Sequence, residues 1–432
     1  MSLNSLINEE KHKQHHMEEK NDESGINICD LPDPLCALII SFLPTKEAIR
    51  TSLLSKRWQH LWKDISKIDL NEEYRERQVF REFVIKLLFK RWQHLTKFSL
   101  SCSAHENAPM VNEWLRGFIN PGIEELNLVL YIEKPLVLPH HLFSFARLTK
   151  FHLYMHQILE LPSSILLPSL RSLSLSLERI IFPDSSSAGR LFSGCPSLEE
   201  LTLIDCDWMN VKAITITSPL LQKVVIRDCK YDDFVDEEDE DHGIDNQNGS
   251  KCCEIFVDGT HLKSFPYRGF PGDNYSLLSS NSVIEATIHI DSIYVDVEQL
   301  PFKDTGSIVL NLFKKLSCVK NLRISEDAVK VMSIVDSSLR DLPVFSNLVE
   351  LCLFTYYPLG SLHPCELPFQ PFLEMMKKTP FLQVISFETG VYVYLDCEDM
   401  DPLPACFKTH LKTIKISNCG GLEHELLAIK IL

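Results

Sequence analysis

Apolar side chains return along this chain in a pattern that alternates and then repeats: L-x-x-L-x-L, with Ile, Val, Phe or a similar residue allowed for Leu. Clear copies begin at Ile65, Leu95, Ile123, Leu148, Leu170, Leu198 and Leu221. Weaker ones begin at Cys252, Leu262 and Val283, and clear ones return at Val319, Leu348, Leu382 and Leu411. The last two apolar positions of each copy are two apart, so in an extended chain they point to one side and the x positions to the other. Each copy predicts one short strand, with its first apolar residue entering the core from the approach to the strand. The step from 252 to 262 is too short for a whole unit. An extra strand is expected there before the repeat strand, as Ala213–Ile216 supplies before Leu221.

The copies recur about every 27 residues, inside the leucine-rich-repeat range. One such unit cannot bury its own apolar face, whereas stacked units share a continuous core. Between strands lie helical patterns. Residues 74–93 carry Val79, Phe80, Phe83, Val84, Leu87 and Leu88 at helical spacing, and 111–119 and 372–378 are similar. The expected fold is α/β: an irregular leucine-rich-repeat solenoid, or distorted horseshoe, with helices on its convex side.

A different pattern precedes the solenoid. Leu35, Ile39 and Phe42/Leu43 fall at i, i+4 and i+7/i+8, one face of a helix that Pro44 stops. Thr45 is placed to cap a second helix carrying Ala48, Ile49 and Leu53, and Ser55 a third with Trp58, Leu61 and Trp62. Three short helices cannot bury that much apolar surface by themselves, so the surplus must pack on something else.

The stretch Asp30–Trp62 resembles an F-box throughout. The resemblance covers the Leu31-Pro32 opening, the Ile39-Ile40-Ser41-Phe42-Leu43-Pro44-Thr45 centre and the Leu54-Ser55-Lys56-Arg57-Trp58 close. Its wording is especially similar to plant F-box proteins with leucine-rich repeats. Two later stretches carry the same likeness. Residues 193–201 (SGCPSLEEL) resemble the recurrent linker and strand of those proteins. Residues 402–416, followed by Gly420-Gly421 and 423–431, resemble the FBD module that closes many of them. That module usually continues into another strand, whereas this sequence stops at Leu432, so a poorly capped last unit is expected. The division this gives is a disordered tail over 1–27, an F-box over 28–64, repeats over 65–355 with an acidic disordered loop at 232–250, and an FBD-like region over 356–432.

Charge and composition narrow the function. Of the net charge of −16, the run 232–242 contributes eight acids and no base, and residues 1–29 hold six acids against Lys11, Lys13 and Lys20. The remainder is mildly acidic and shows no basic stripe of the kind that grips phosphate backbones, so nucleic acid is not an expected partner. No stretch approaches the length of a membrane span, and the first residues lack a signal-peptide core, so a cytoplasmic or nuclear protein is expected. The 14 cysteines include no CxxC pair and read as reduced, mostly buried thiols. Phosphate-loop, dinucleotide, nucleophile-elbow and zinc-protease motifs are absent, and His15-His16 and His140-His141 are adjacent pairs whose side chains diverge. No catalysis and no cofactor or metal is expected.

The resemblance implies a role: a non-enzymatic adaptor whose F-box binds a Skp-type adaptor, and through it a cullin, while the repeats bind the protein to be ubiquitinated. It assigns Leu31, Pro32, Leu35, Ile39, Leu43 and Trp58 to the Skp contact. For the substrate, outward strand positions are the candidates: Lys150, His152, Tyr154, Lys223, Arg227, Arg323 and Phe354, among acids such as Glu125, Glu200, Glu350 and Glu388. Two alternatives stay open: a small-molecule-gated F-box receptor, and a repeat scaffold that does not engage the ligase.

Overall fold

The computed structural model describes residues 31–62, 65–72, 77–89, 92, 94–103, 108–131, 136–155, 158–208, 210–228, 253–269, 274–290, 302–334, 341–355, 365–366, 369–392, 404–421 and 423–431. The tail over 1–27 and the loop over 232–250 lie outside these residues.

The chain opens with three helices, α1 (Asp33–Ser41), α2 (Thr45–Arg50) and α3 (Trp58–Leu61). A 3-10 turn at Thr51–Leu53 follows α2. Pro32 and Pro44 stand at the N-caps of α1 and α2 in extended conformation, where a missing N–H costs nothing. Thr45 does not cap α2 with its side chain. It is the first residue of that helix, and its hydroxyl instead accepts a 2.7 Å hydrogen bond from the Asp69 N–H on the first strand of the solenoid. Nor does α3 follow directly on Ser55; it begins three residues later, at Trp58.

The solenoid is a single open sheet of thirteen parallel strands. They are β1 (Lys67–Asn71), β2 (Lys97–Ser103), β3 (Glu125–Tyr131), β4 (Lys150–Met155), β5 (Ser172–Ile181), β6 (Glu200–Asp207), β8 (Lys223–Asp228), β10 (Ser264–Gly269), β12 (Glu285–Ile290), β13 (Asn321–Ser325), β14 (Glu350–Phe354), β16 (Val384–Phe387) and β18 (Thr413–Ile416). Each begins two residues after the first apolar residue of a sequence copy. The copy at Cys252 alone leads elsewhere, into β9 (Glu254–Asp258), which joins β7 (Ala213–Ile216) and β11 (Asn274–Ser279) in a second, three-stranded sheet ordered β11-β9-β7. β7 and β9 are the extra strands expected from the sequence; β11 is not legible there.

The units lock together through their backbones. At all twelve junctions of the main sheet, one carbonyl accepts from two successive N–H groups of the next unit. The Ser66 oxygen takes those of Thr96 and Lys97, and the Gln383 oxygen those of Lys412 and Thr413. This shared acceptor pins the register, and with it the alternation: Phe98 and Leu100, Leu126 and Leu128, Phe151 and Leu153 are all buried on one side.

Helices and loops close the core behind the strands. α4 (Arg77–Leu88) buries Phe80, Val84 and Leu87, and α5 (Ala108–Phe118) buries Val111, Trp114, Leu115 and Phe118. Further along stand α6 (Ser185–Ser193), α7 (Phe302–Lys315), α8 (Glu326–Ile334), α9 (Phe369–Lys377), α10 (Ala405–Thr409) and α11 (Glu423–Ile431). The helices expected over 74–93, 111–119 and 372–378 are therefore present as α4, α5 and α9, with shifted ends.

The SGCP linker has a physical basis. Gly194 ends α6, its carbonyl accepts from Leu167 N–H, and a Cβ added there would lie 2.8 Å from the Ile165 carbonyl oxygen. Cys195 beside it is buried and donates its thiol to Leu191 O, and Leu198 then enters the core. Gly194→Ala is expected to destabilise by about 1–3 kcal/mol, the usual range for forcing atoms into filled space. An unchanged urea midpoint would show that the linker relaxes freely.

The two edges of the main sheet differ. β1 is covered by the helical module through Thr45 and Asp69. Among the described residues β18 has no strand beyond it, and its Ile414 and Ile416 stay half-exposed where the equivalent residues of inner strands are buried. α11 packs on the short strand β17 (Val391–Tyr392).

Candidate functional site

Two surfaces stand out, one on the helical module and one on the open face of the main sheet.

In the module, α1 is apolar on nearly every side. Cys36 and Ile40 turn inward with Ala48 of α2 and Trp58 of α3. The opposite side leaves Leu35, Leu38 and Phe42 in solvent, and Leu53 and Leu54 on the module's 3-10 turn and its end are exposed as well; Phe42 is 78% exposed. Single exposed apolar residues need no explanation, but five on one small module are more than a monomer's surface usually gathers in so few residues. Of the residues assigned to the adaptor contact, Pro32 and Leu35 are exposed, and Leu31, Ile39 and Leu43 are half-buried. Trp58 is 1% exposed, so it supports this surface from beneath and does not line it. Leu38, Leu53 and Leu54 are the additions the structure makes, together with Phe42 in full. Arg57 clamps the arrangement, donating to the Leu31 carbonyl and, at 2.5 Å, to the Asp33 carboxylate at the start of α1.

On the sheet's open face, register places the outward residues in rows across the strands. The first row runs Lys67, Lys97, Glu125, Lys150, Ser172, Glu200 and Lys223. The second runs Asp69, Ser99, Asn127, His152 and Ser174. Over β1–β5 these residues line a groove of about 370 Å³. Within it Glu125 sits between two lysines, 3.0 Å from Lys97 Nζ and 3.7 Å from Lys150 Nζ. Lys67 lies 4.0 Å from Asp69. These ion pairs are exposed, and pairs of that kind contribute about 0–1 kcal/mol, so they exchange partners easily. Burial lowers the His152 pKa below its ordinary value, which keeps the ring neutral at pH 7. On the floor, Asn127 donates from Nδ2 to Ser99 Oγ at 3.1 Å, while its Oδ1 is buried without a hydrogen-bond partner among the described residues. A buried acceptor without a donor costs about 1–3 kcal/mol, which a bound donor or water would remove.

The candidate substrate residues thus divide. Lys150, His152 and Tyr154 share β4, and Tyr154 packs on Tyr131 with ring centroids 5.0 Å apart. Lys223 and Arg227 lie on β8, with β5 and β6 between them and β4. Arg323 and Phe354, on neighbouring strands β13 and β14, meet directly: the guanidinium carbon is 5.1 Å from the ring centroid. Arg323 also donates to Glu388 at 2.6 Å, and His289 approaches the Phe354 ring edge-on at 5.4 Å. The sequence could not foresee His289 as part of that cluster, because it comes from a third strand, β12.

Three buried thiols are poor nucleophiles. Burial pushes Cys102, Cys195 and Cys352 up to about 12. Among the described residues no group of His, Cys, Asp and Glu is placed to hold a metal ion, and no helix is long and apolar enough to cross a membrane.

Comparison with known proteins agrees with this architecture. Residues 28–69 match the F-box domain family, and residues 111–240 match the family described as "FBD-associated F-box protein At5g56370, LRR repeats". The chain is 24% identical to the Arabidopsis thaliana "F-box/LRR-repeat protein At4g14096", over 92% of this chain and 82% of that protein. It is 26% identical to "Putative F-box/LRR-repeat protein At3g58920" of the same plant, over 93% and 89%. To "Putative F-box/FBD/LRR-repeat protein At1g22000", also from Arabidopsis thaliana, it is 25% identical over 92% and 80%. With a helical F-box module packed on a solenoid of parallel strands, the chain is similar along most of its length to F-box/leucine-rich-repeat proteins of Arabidopsis thaliana, among them one named for an FBD region as well.

Proposed function

We propose that this chain is a substrate-recognition subunit of a Skp–cullin–F-box ubiquitin ligase, a non-enzymatic adaptor. The observation that carries the proposal is the F-box module itself. Its core is filled by Cys36, Ile40, Ala48 and Trp58, yet Leu35, Leu38 and Phe42 remain exposed on one side of α1, and Leu53 and Leu54 are exposed on the same small module. A surface of that kind is stabilised by a partner that removes it from water, at about 25 cal/mol per Å² of apolar area. The partner supplied by the F-box resemblance is a Skp-type adaptor, and through it a cullin. The repeats then hold the protein to be modified, on the outward residues Lys150, His152, Tyr154, Lys223, Arg227, Arg323 and Phe354. In this division the chain contributes position: it raises the effective concentration of a substrate near the ligase's catalytic end.

Co-expression of the full chain with a Skp-type adaptor tests the reading. The two are expected to elute together from size exclusion at a constant ratio. A folded chain that elutes alone would overturn it and would favour a repeat scaffold that does not engage the ligase.

A further inference from the structure

We propose that the groove over β1–β5 receives an acidic, extended segment of the partner protein, and that Glu125 occupies the ligand's place in the free protein. The inference rests on reading the repeats as the partner-binding half, and it names the chemistry of what they bind. Register makes Glu125 the direct neighbour of both Lys97 and Lys150, on the strands to either side. One carboxylate therefore serves two ammonium groups, while Lys67 is the neighbour of Lys97 on its other side. The groove holds three lysines against two carboxylates, Glu125 and Asp69, in a chain whose net charge is −16. Asp69 marks one end of this window. At the other, Ser172 and Ser174 follow before Glu200 restores negative charge.

The geometry favours a carboxylate ligand over a cationic one. Each of these ion pairs is exposed to water, so an incoming carboxylate can replace Glu125 on Lys97 or Lys150 without breaking a buried network. A cationic segment would have to displace two lysines to reach the one glutamate. The second row, Ser99, Asn127, His152 and Ser174, adds uncharged hydrogen-bonding groups along the floor. Parallel strands step by about 4.8 Å, so Lys97 and Lys150 stand roughly 10 Å apart across Glu125, a span that an extended segment covers in three residues.

The test uses the full chain, with its adaptor where one is retained, and a fluorescein-labelled peptide of alternating glutamate and glycine. The matching glutamine–glycine peptide is the neutral control. Anisotropy is expected to show binding of the acidic peptide only, weakening as salt is raised. Lys97→Glu with Lys150→Glu should weaken binding by about tenfold or more, and Glu125→Gln should tighten it by roughly threefold or more. The gain with Glu125→Gln is the decisive arm, because misfolding cannot produce it. Equal binding of the neutral peptide, or no change in either variant, would overturn the proposal. Adaptor retention is scored on the same preparations. Retained adaptor with no acidic-peptide binding removes this inference alone; peptide binding without adaptor removes the ligase reading alone.

Discussion

Leu38→Glu together with Phe42→Glu is expected to abolish co-purification with a Skp-type adaptor, an affinity loss of at least about a hundredfold. Both side chains are exposed, at 52% and 78%, and both lie on the side of α1 away from Cys36 and Ile40. Placing a carboxylate in an apolar contact strands a charge unless a partner compensates it. Central apolar anchors contribute about 2 kcal/mol or more each, and each 1.4 kcal/mol is tenfold in affinity. The module should stay folded, because neither residue belongs to its core. Leu31→Ala with Pro32→Ala is expected to do less. Leu31 is half-buried against the module, so part of its contribution is structural. Undiminished adaptor binding in the double glutamate variant, with an unchanged melting curve, would exclude this surface as the contact.

Phe98→Ala is expected to cost about 3–5 kcal/mol, measured by urea unfolding, as for other large buried aromatic side chains. The ring is 1% exposed and stacks on Phe118 of α5, with centroids 5.2 Å apart and planes within 18°. Its removal takes away both the transferred surface and the packing of the helix behind the strand. In a stacked array each unit is held by its neighbours, so a loss at β2 also weakens the junctions with β1 and β3. Thr202→Ala, at an outward and half-buried position of β6, is the contrast and should stay within about 0.5 kcal/mol. A Phe98→Ala cost below about 1 kcal/mol would mean that this part of the solenoid collapses around the deletion.

Much of this fold was legible because its units are local. Alternation with a period of two identifies a strand and its buried side within six residues, and thirteen of fourteen copies lead into the main sheet. The exception shows the limit of a local signal. The short step after Cys252 marks its strand as an extra one, but only the neighbours available to that strand send β9 into the second sheet with β7 and β11. Thr45 shows the same limit. A threonine after a proline reads as a cap, but its hydroxyl has a better use in receiving the Asp69 N–H.

The sequence by itself determined the F-box and its order ahead of the solenoid, the strands of the main sheet and their inward residues, and the positions that face outward. It could not decide which side of α1 faces inward. Both the Leu35/Ile39 and the Cys36/Ile40 spacings satisfy helical periodicity in a segment that is apolar almost all round. Only packing against Ala48 and Trp58 selects Cys36 and Ile40, and so leaves Leu38 and Phe42 free. Nor could it pair residues across units. Lys97, Glu125 and Lys150 are more than twenty residues apart in sequence and adjacent in space, as are Arg323, Phe354 and Glu388. Repeat periodicity names what faces outward, while the register of parallel strands, set by the shared carbonyls at each junction, decides which outward charges meet.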